Sequence, residues 1–146
     1  MSDNLSGSII NQTHYFKVRV YYEDTDFTGI VYHANYLKFA ERGRTNFLRL
    51  INIKHSALIE SDDPSYFVVY KLKSKFLDTA RIDDILEVRS HFKGINGPRL
   101  KIDQEIFKDE KKVFSANIEF ALLDKKAKPK RFPENIKLKI EEYLSK

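Results

Sequence analysis

Two carboxylates, a glycine and a histidine stand close together in the run Val20-Tyr21-Tyr22-Glu23-Asp24-Thr25-Asp26-Phe27-Thr28-Gly29-Ile30-Val31-Tyr32-His33-Ala34-Asn35-Tyr36. An extended apolar stretch leads into Asp24 and Asp26. A glycine turn follows, and an amphipathic helical pattern starts at His33. That order can place a carboxylate beside a helix N-terminus. Such a terminus presents backbone N–H groups without internal partners and about half a positive charge. A carboxylate facing those donors can hydrolyse an activated acyl group. The donors steady the oxyanion, and the carboxylate attacks or activates water. Each residue also has a plainer reading. An Asp that ends a strand serves the turn itself. Asp24 shares that ambiguity with Asp26, and Glu23 is expected to face solvent. Gly29 permits a backbone conformation barred to other residues, as an ordinary turn glycine does. His33 is either a polar residue at a helix start or a group that meets substrate through its ring or its N–H.

The elements that must position these residues are legible from periodicity. Over residues 14–24, Phe16, Val18, Val20 and Tyr22 alternate with Lys17, Arg19 and Glu23. That is a half-buried strand, and the same parity carries Asp24 and Asp26 to its inner face. Over residues 34–51 the period is helical. Tyr36, Leu37, Phe39, Ala40, Gly43, Phe47, Leu48, Leu50 and Ile51 fill roughly half the circumference. So wide an apolar arc suits a helix cradled by a sheet. Gly43 on that arc predicts close approach to a strand. Arg44 also falls on it, so it must snorkel or find an acidic partner.

Four more strands follow, with Tyr70, Leu72, Ser74 and Phe76, then Leu86 to Phe92, Leu100 to Ile106, and Phe114 to Leu122 on their apolar faces. Turns are predicted at 94–98 and at Asp109-Glu110. A short helix is predicted over Pro133 to Tyr143. Strand, long helix and four one-sided strands predict an α+β domain. Its five-stranded antiparallel sheet wraps around one central helix. Residues 1–13 read as a flexible tail, and 14–146 as a single domain.

The chain has 146 residues, a formal net charge of +5 and no Cys. The missing Cys excludes disulfides, thiolate metal sites and a cysteine nucleophile. It also fits a reducing, cytoplasmic location. The polar start lacks the pattern of a signal peptide. No apolar run approaches the roughly 18 residues that span a bilayer. His14, His33, His55 and His91 form no metal-ligand pair at helical spacing, so no metal and no cofactor is expected. Nucleophile-elbow, dinucleotide and phosphate-loop patterns are missing. Lys125, Lys126, Lys128, Lys130 and Arg131 concentrate positive charge in seven residues. That cluster is either a solvated tail or a seat for phosphate, an acidic protein, an anionic membrane or nucleic acid.

The run from Val18 to Tyr36, continued by Glu41-Arg42-x-Arg44, resembles the YbgC type of acyl-CoA thioesterase. That type lies in the 4-hydroxybenzoyl-CoA thioesterase branch of the hotdog-fold superfamily. The match is dense over 17–49. Beyond it, strand order, Ala80-Arg81-Ile82-Asp83-Asp84, Lys128-Pro129 and Pro133 carry the likeness. Phe27-Thr28 replaces a smaller pair and is expected to narrow the pocket mouth. The resemblance implies the hotdog fold and hydrolysis of acyl-CoA, or acyl carrier protein, thioesters. It implies Asp26 as nucleophile or general base, and His33 as the donor that holds the thioester carbonyl, its ring also in the site. Tyr32 would line the acyl pocket. Homodimers or homotetramers with interfacial sites are implied. The basic cluster, through Lys128, Lys130 and Arg131, is expected to meet the phosphates of CoA. Two rivals differ in class. A hotdog dehydratase would use a His and an acid on the helix, for which Glu41 is the candidate. A non-catalytic module would bind acyl thioesters or nucleic acid, but the cluster lacks interleaved aromatics and any nucleic-acid motif.

Overall fold

The computed structural model describes residues 5–145. Among them, six strands form one antiparallel sheet: β1 (Ser8–Ile10), β2 (Thr13–Arg19), β3 (Tyr66–Phe76), β4 (Ile85–Asn96), β5 (Arg99–Lys108) and β6 (Lys111–Leu123). Their order across the sheet is β1-β2-β4-β5-β6-β3. Helix α1 (His33–Leu50) lies along the inner face. Two shorter helices, α2 (His55–Glu60) and α3 (Glu134–Glu141), close the ends.

The inner face is built by the predicted alternation. Leu86, Val88 and Phe92 of β4, Leu100, Ile102 and Ile106 of β5, and Phe114, Ala116 and Ile118 of β6 are buried. They pack on Tyr36, Phe39, Phe47 and Leu48 of α1. Gly43 meets the sheet as its position predicts. A Cβ there would lie 2.7 Å from Val88 Cγ1, too close for a packed β-branched neighbour.

Three expectations need correction. The sheet has six strands rather than five, because part of the expected flexible tail is ordered. Ile9 pairs with His14, and Asn11 and Gln12, both at positive φ, turn β1 into β2. Residues 1–4 of that tail lie outside the described residues. Tyr70 does not share the inner face with Leu72 and Phe76. A bulge between Val69 and Lys71 sends it outward, under the Arg99 guanidinium 3.6 Å from its ring. The parity of the first strand also fails beyond Val20. Tyr22–Asp24 is one turn of 3-10 helix, and Tyr22 is exposed.

The segment that enters β1, at Ser6 and Gly7, meets a buried imidazole of β2. His14 Nε2 is 2.6 Å from the Ser6 carbonyl oxygen, and the ring stacks on Phe47 at 5.1 Å. Burial pulls its pKa below the ordinary value, with the Ser6 carbonyl pulling it back. The native state therefore prefers the neutral ring. Below the unfolded imidazole pKa near 6.5 the unfolded chain binds a proton that the native chain resists. Stability is full above that pH and falls beneath it, by at most about 1.4 kcal/mol per pH unit. Urea unfolding at pH 7.5 and 5.5 should show this loss, and His14→Phe should flatten it.

Candidate active site

The chain leaves β2 and is pinned at once by the segment that precedes β4. Val20 N–H donates to Asp84 O at 2.9 Å, and Asp83 N–H to Val20 O at 2.9 Å. The 3-10 turn then drives Asp24 inward. Its carboxylate is buried: Oδ2 accepts the Tyr21 N–H at 2.8 Å and Oδ1 accepts Asn35 Nδ2 at 2.9 Å. Its carbonyl accepts the Tyr32 N–H at 2.9 Å. Asp24 thus ties the turn to Tyr32, which precedes α1, and to the first helical turn. Both of its oxygens are engaged in holding the fold.

Asp26 stands differently. Its backbone closes a tight loop, with its N–H donating to Ile30 O at 2.9 Å and its carbonyl accepting Gly29 N–H at 3.1 Å. Gly29 makes that loop possible at φ +85°. The Val31 N–H donates to Ala80 O at 2.8 Å, which fixes the loop to the body. The Asp26 side chain is partly exposed. Both of its hydrogen bonds fall on Oδ1, from the Thr28 N–H at 2.8 Å and the Thr28 hydroxyl at 2.5 Å. Oδ2 accepts none. The Thr28 hydroxyl, then the Thr28 N–H, hold its pKa below the usual carboxylate range, so Asp26 is ionised at neutral pH. Phe27 is fully exposed and narrows nothing within one protomer.

Helix α1 begins beside this loop without a cap. Tyr32 occupies the N-cap position and supplies no side-chain acceptor, and the first turn carries no acid. The Asn35 N–H folds back onto Tyr32 O at 2.8 Å. The N–H groups of His33 and Ala34 take no partner among the described residues, so they remain for a ligand. The His33 ring is exposed and lies 4.6 Å from the Tyr32 ring and 6.0 Å from Phe76. Phe76 continues to Tyr36 at 6.0 Å and Phe114 at 5.4 Å. One carboxylate with a free oxygen, two free donors and an aromatic wall therefore share one corner of the fold.

The predicted basic residues lie elsewhere. The Lys130 N–H donates to Leu122 O, while Phe114 pairs with Phe76 at the corner just described. Eight residues of β6 separate those points, about 27 Å of strand. Lys130 is also committed. Its Nζ pairs with Asp63 at 2.9 Å and donates to Ser65 Oγ at 2.7 Å, clamping the chain before β3. Lys128 and Arg131 are exposed.

A model of the thioesterase-like superfamily matches residues 20–140. The acyl-CoA thioesterase YbgC of Haemophilus influenzae is 38% identical over 84% of this chain and 90% of its own. The acyl-CoA thioesterase YbgC of Helicobacter pylori is 35% identical over 81% of this chain and 96% of its own. This chain is a YbgC-type member of the thioesterase-like superfamily. A probable thioesterase from Bartonella henselae, 37% identical, superposes with a TM-score of 0.81 over 83% of this chain and 99% of its own. The helix wrapped by its sheet is therefore the hotdog fold.

In this YbgC-type chain, Asp26, Gly29, Tyr32 and His33 meet at one loop–helix junction. Lys128, Lys130 and Arg131 do not join them within a protomer. The sequence reading gave no role to Asn35, and none to Phe76 beyond its strand. Asn35 follows a helix start at the spacing that reaches back to a preceding turn, which is a usable signal. Phe76 carried none, since its contact with His33 arises between elements far apart in sequence.

Proposed function

We propose that the chain hydrolyses acyl-CoA thioesters to a free acid and a thiol at the corner between Asp26 and the start of α1. One observation carries this: an ionised Asp26 with Oδ2 unbonded stands by a helix N-terminus whose His33 and Ala34 N–H groups are free. The thioester carbonyl accepts from these donors. As the carbon becomes tetrahedral its oxygen gains charge, so donors and helix field stabilise the transition state more than the substrate. Asp26 attacks that carbon or takes a proton from water that does. The thiolate leaves readily and needs no metal. Tyr32 and Phe76 flank the acyl group, with the His33 ring at its entrance. Glu41, the acid a dehydratase would use, lies eight residues along α1, about 12 Å from His33. An acyl-CoA panel with a thiol reagent tests the reading. Thiol release supports it, and silence on every thioester sinks it. Acyl carrier protein thioesters belong in the same panel. A cytoplasmic location is part of this reading, supported by the Cys-free sequence. No helix among the described residues is long and apolar enough to cross a membrane.

The working unit in this reading is a dimer or tetramer. β3 is an edge strand with eleven residues, none buried, and Val68, Val69, Tyr70, Leu72 and Phe76 expose large apolar side chains. Such an edge calls for a partner. Antiparallel pairing of two β3 strands would bring the Phe76 end of one protomer toward the partner's Tyr66 end, where the basic segment lies. Light scattering with gel filtration should give at least twice 17.2 kDa. A clean monomer at micromolar concentration would contradict this arrangement.

The basic segment then serves CoA held across that interface. Lys128 and Arg131 would meet phosphates, and Lys130 would fix the segment through Asp63 and Ser65 while adding its charge. These contacts are exposed, weak and screened by salt. They act alike on ground and transition states. Lys128→Ala/Arg131→Ala should raise KM severalfold with little change in kcat, and its KM should climb less with salt than the wild type's. Adding Lys130→Ala should also lower the melting temperature. Equal KM values at low salt would make the segment a solvated tail.

A further inference from the structure

Thr28 places a hydroxyl in a loop that closes without it. The backbone does the closing: the Asp26 N–H donates to Ile30 O at 2.9 Å, the Gly29 N–H donates to Asp26 O at 3.1 Å, and Thr25 bridges to Val31. The bridge between Ile30 and Arg81, and the Val31 N–H on Ala80 O at 2.8 Å, fasten the loop to the segment before β4. None of these contacts uses the Thr28 side chain. Its hydroxyl donates to Asp26 Oδ1 at 2.5 Å, and its N–H donates to the same oxygen at 2.8 Å. Every residue but proline supplies that N–H. The hydroxyl is what Thr28 adds.

Two bonds on one oxygen do more than one. Rotation of a carboxylate about Cβ–Cγ is broad and nearly twofold. A single donor therefore lets the plane rock and the two oxygens trade places. A second donor on the same oxygen, from a side chain stiffened by its β-branch, fixes the plane. Oδ2 then stays the unbonded oxygen. The bonds also favour the charged form. The Thr28 hydroxyl first, and the Thr28 N–H second, hold the Asp26 carboxyl below the usual carboxylate range. Thr28 is exposed, and an acyl group that displaces water from this corner strengthens both bonds. The other titratable and charged groups around the loop are Glu23 and Asp24 on the turn before it, Tyr32 and His33 where α1 begins, and Asp78, Arg81, Asp83 and Asp84 on the segment fastened to it. Asp24 is held by the Tyr21 N–H and Asn35, Asp78 by Lys111, and Asp84 by Lys108 and the Arg81 N–H.

We propose that Thr28 is a positioning residue for the hydrolysis: its hydroxyl locks the Asp26 carboxylate by Oδ1, so that Oδ2 alone meets the acyl carbon or the water that attacks it. The proposal deepens the thioesterase reading above and rests on it. Thr28 touches no reacting atom and acts through Asp26. The lock makes Asp26 a weaker base than a free carboxylate, and it keeps Asp26 charged as the pH falls. Without the hydroxyl the carboxylate is the stronger base but presents the wrong plane, or the wrong oxygen, part of the time. Orientation is the larger effect. A gain in basicity returns only part of itself as rate, whereas a misplaced reacting atom can lose about a hundredfold.

The test compares Thr28→Val and Thr28→Ser with the wild type on an acyl-CoA. It reads kcat and KM at pH 7.5, the melting temperature, and the acid limb of kcat/KM at pH values where circular dichroism shows each protein folded. Valine keeps the β-branch and the N–H and loses the hydroxyl. Serine keeps the hydroxyl. At pH 7.5 Asp26 is charged in all three proteins, so that comparison reads orientation alone. Thr28→Val should lower kcat by about tenfold, with KM and melting temperature near those of the wild type. Its acid limb should move to higher pH, because the charged carboxylate has lost a donor. Thr28→Ser should restore most of kcat and return the limb. The neighbouring charges are the same in all three, so the difference belongs to Thr28. An unchanged kcat in Thr28→Val would overturn the proposal. A loss that comes with a lower melting temperature, leaves the acid limb in place or is not restored by serine belongs to the loop, and overturns it too. If the wild type hydrolyses no thioester, the thioesterase reading fails instead. Carbon NMR of the Asp26 carboxyl, assigned against Asp26→Asn, then judges Thr28 alone. A titration that moves to higher pH in Thr28→Val supports the lock, and one that stays in place rejects it.

Discussion

Asp26→Asn lowers thioester turnover by at least about a hundredfold and leaves the melting temperature close to that of the wild type. The fold survives because both hydrogen bonds to this side chain fall on one oxygen. The Thr28 N–H and hydroxyl donate to Oδ1, and an amide oxygen accepts both equally well. The chemistry fails because the other oxygen becomes an NH2 group. That group can neither attack a carbonyl nor take a proton from water. A factor of a hundred is the lower range for losing a positioned general base, and a lost nucleophile costs no less. The measurement is kcat/KM on short and long acyl-CoAs beside a thermal melt. Near-normal turnover at every chain length would end the assignment of Asp26.

Asp24→Asn gives the opposite profile: a clear loss of stability with a smaller loss of activity. Read from the sequence, Asp24 is the milder control for Asp26. In the folded chain it is a buried tie. Its two oxygens face two donors, the Tyr21 N–H and Asn35 Nδ2. An amide in this position must turn its own donor toward one of them. A buried donor left without an acceptor costs about 1–3 kcal/mol, and a domain of this size loses roughly 2–4 °C per kcal/mol. The tie also holds the start of α1 against the turn that carries Asp26. Loosening it misplaces the donors relative to the carboxylate, and about tenfold in kcat is the expected scale of such a misplacement. Asn35→Ala should reproduce both effects. The double variant should fall short of their sum, since the two side chains act as one contact. Additive losses would show that they do not.

Much of this molecule is written in local periods. Alternation along β4, β5 and β6 and the wide apolar arc of α1 place the core without reference to any distant residue. Side-chain direction is set by backbone geometry alone. Gly43 on the apolar arc announced the contact with Val88 for the same reason. The density of the motif from Val18 to Arg44 likewise carried the family.

The rest depended on contacts that no local pattern contains. Asp24 and Asp26 have one parity in sequence, so strand logic cannot separate them. The 3-10 turn at Tyr22–Asp24 breaks that parity, burying Asp24 and leaving Asp26 at the surface with a free oxygen. Lys130 looked like one cation in a solvated run. Asp63, distant in sequence, meets it at 2.9 Å and makes it a clamp. β1 escaped notice because its turn uses Asn11 and Gln12 rather than a glycine, and because the contact of His14 with Ser6, just before the strand, has no local signature. Arg44 on the apolar arc predicted an acidic partner, and only the tertiary packing shows that among the described residues it lies over Phe120 and reaches Gln104 instead. Periodicity reports which way a side chain points. What it meets there is fixed by how separate elements close on one another, and in this chain that closure sets the chemistry.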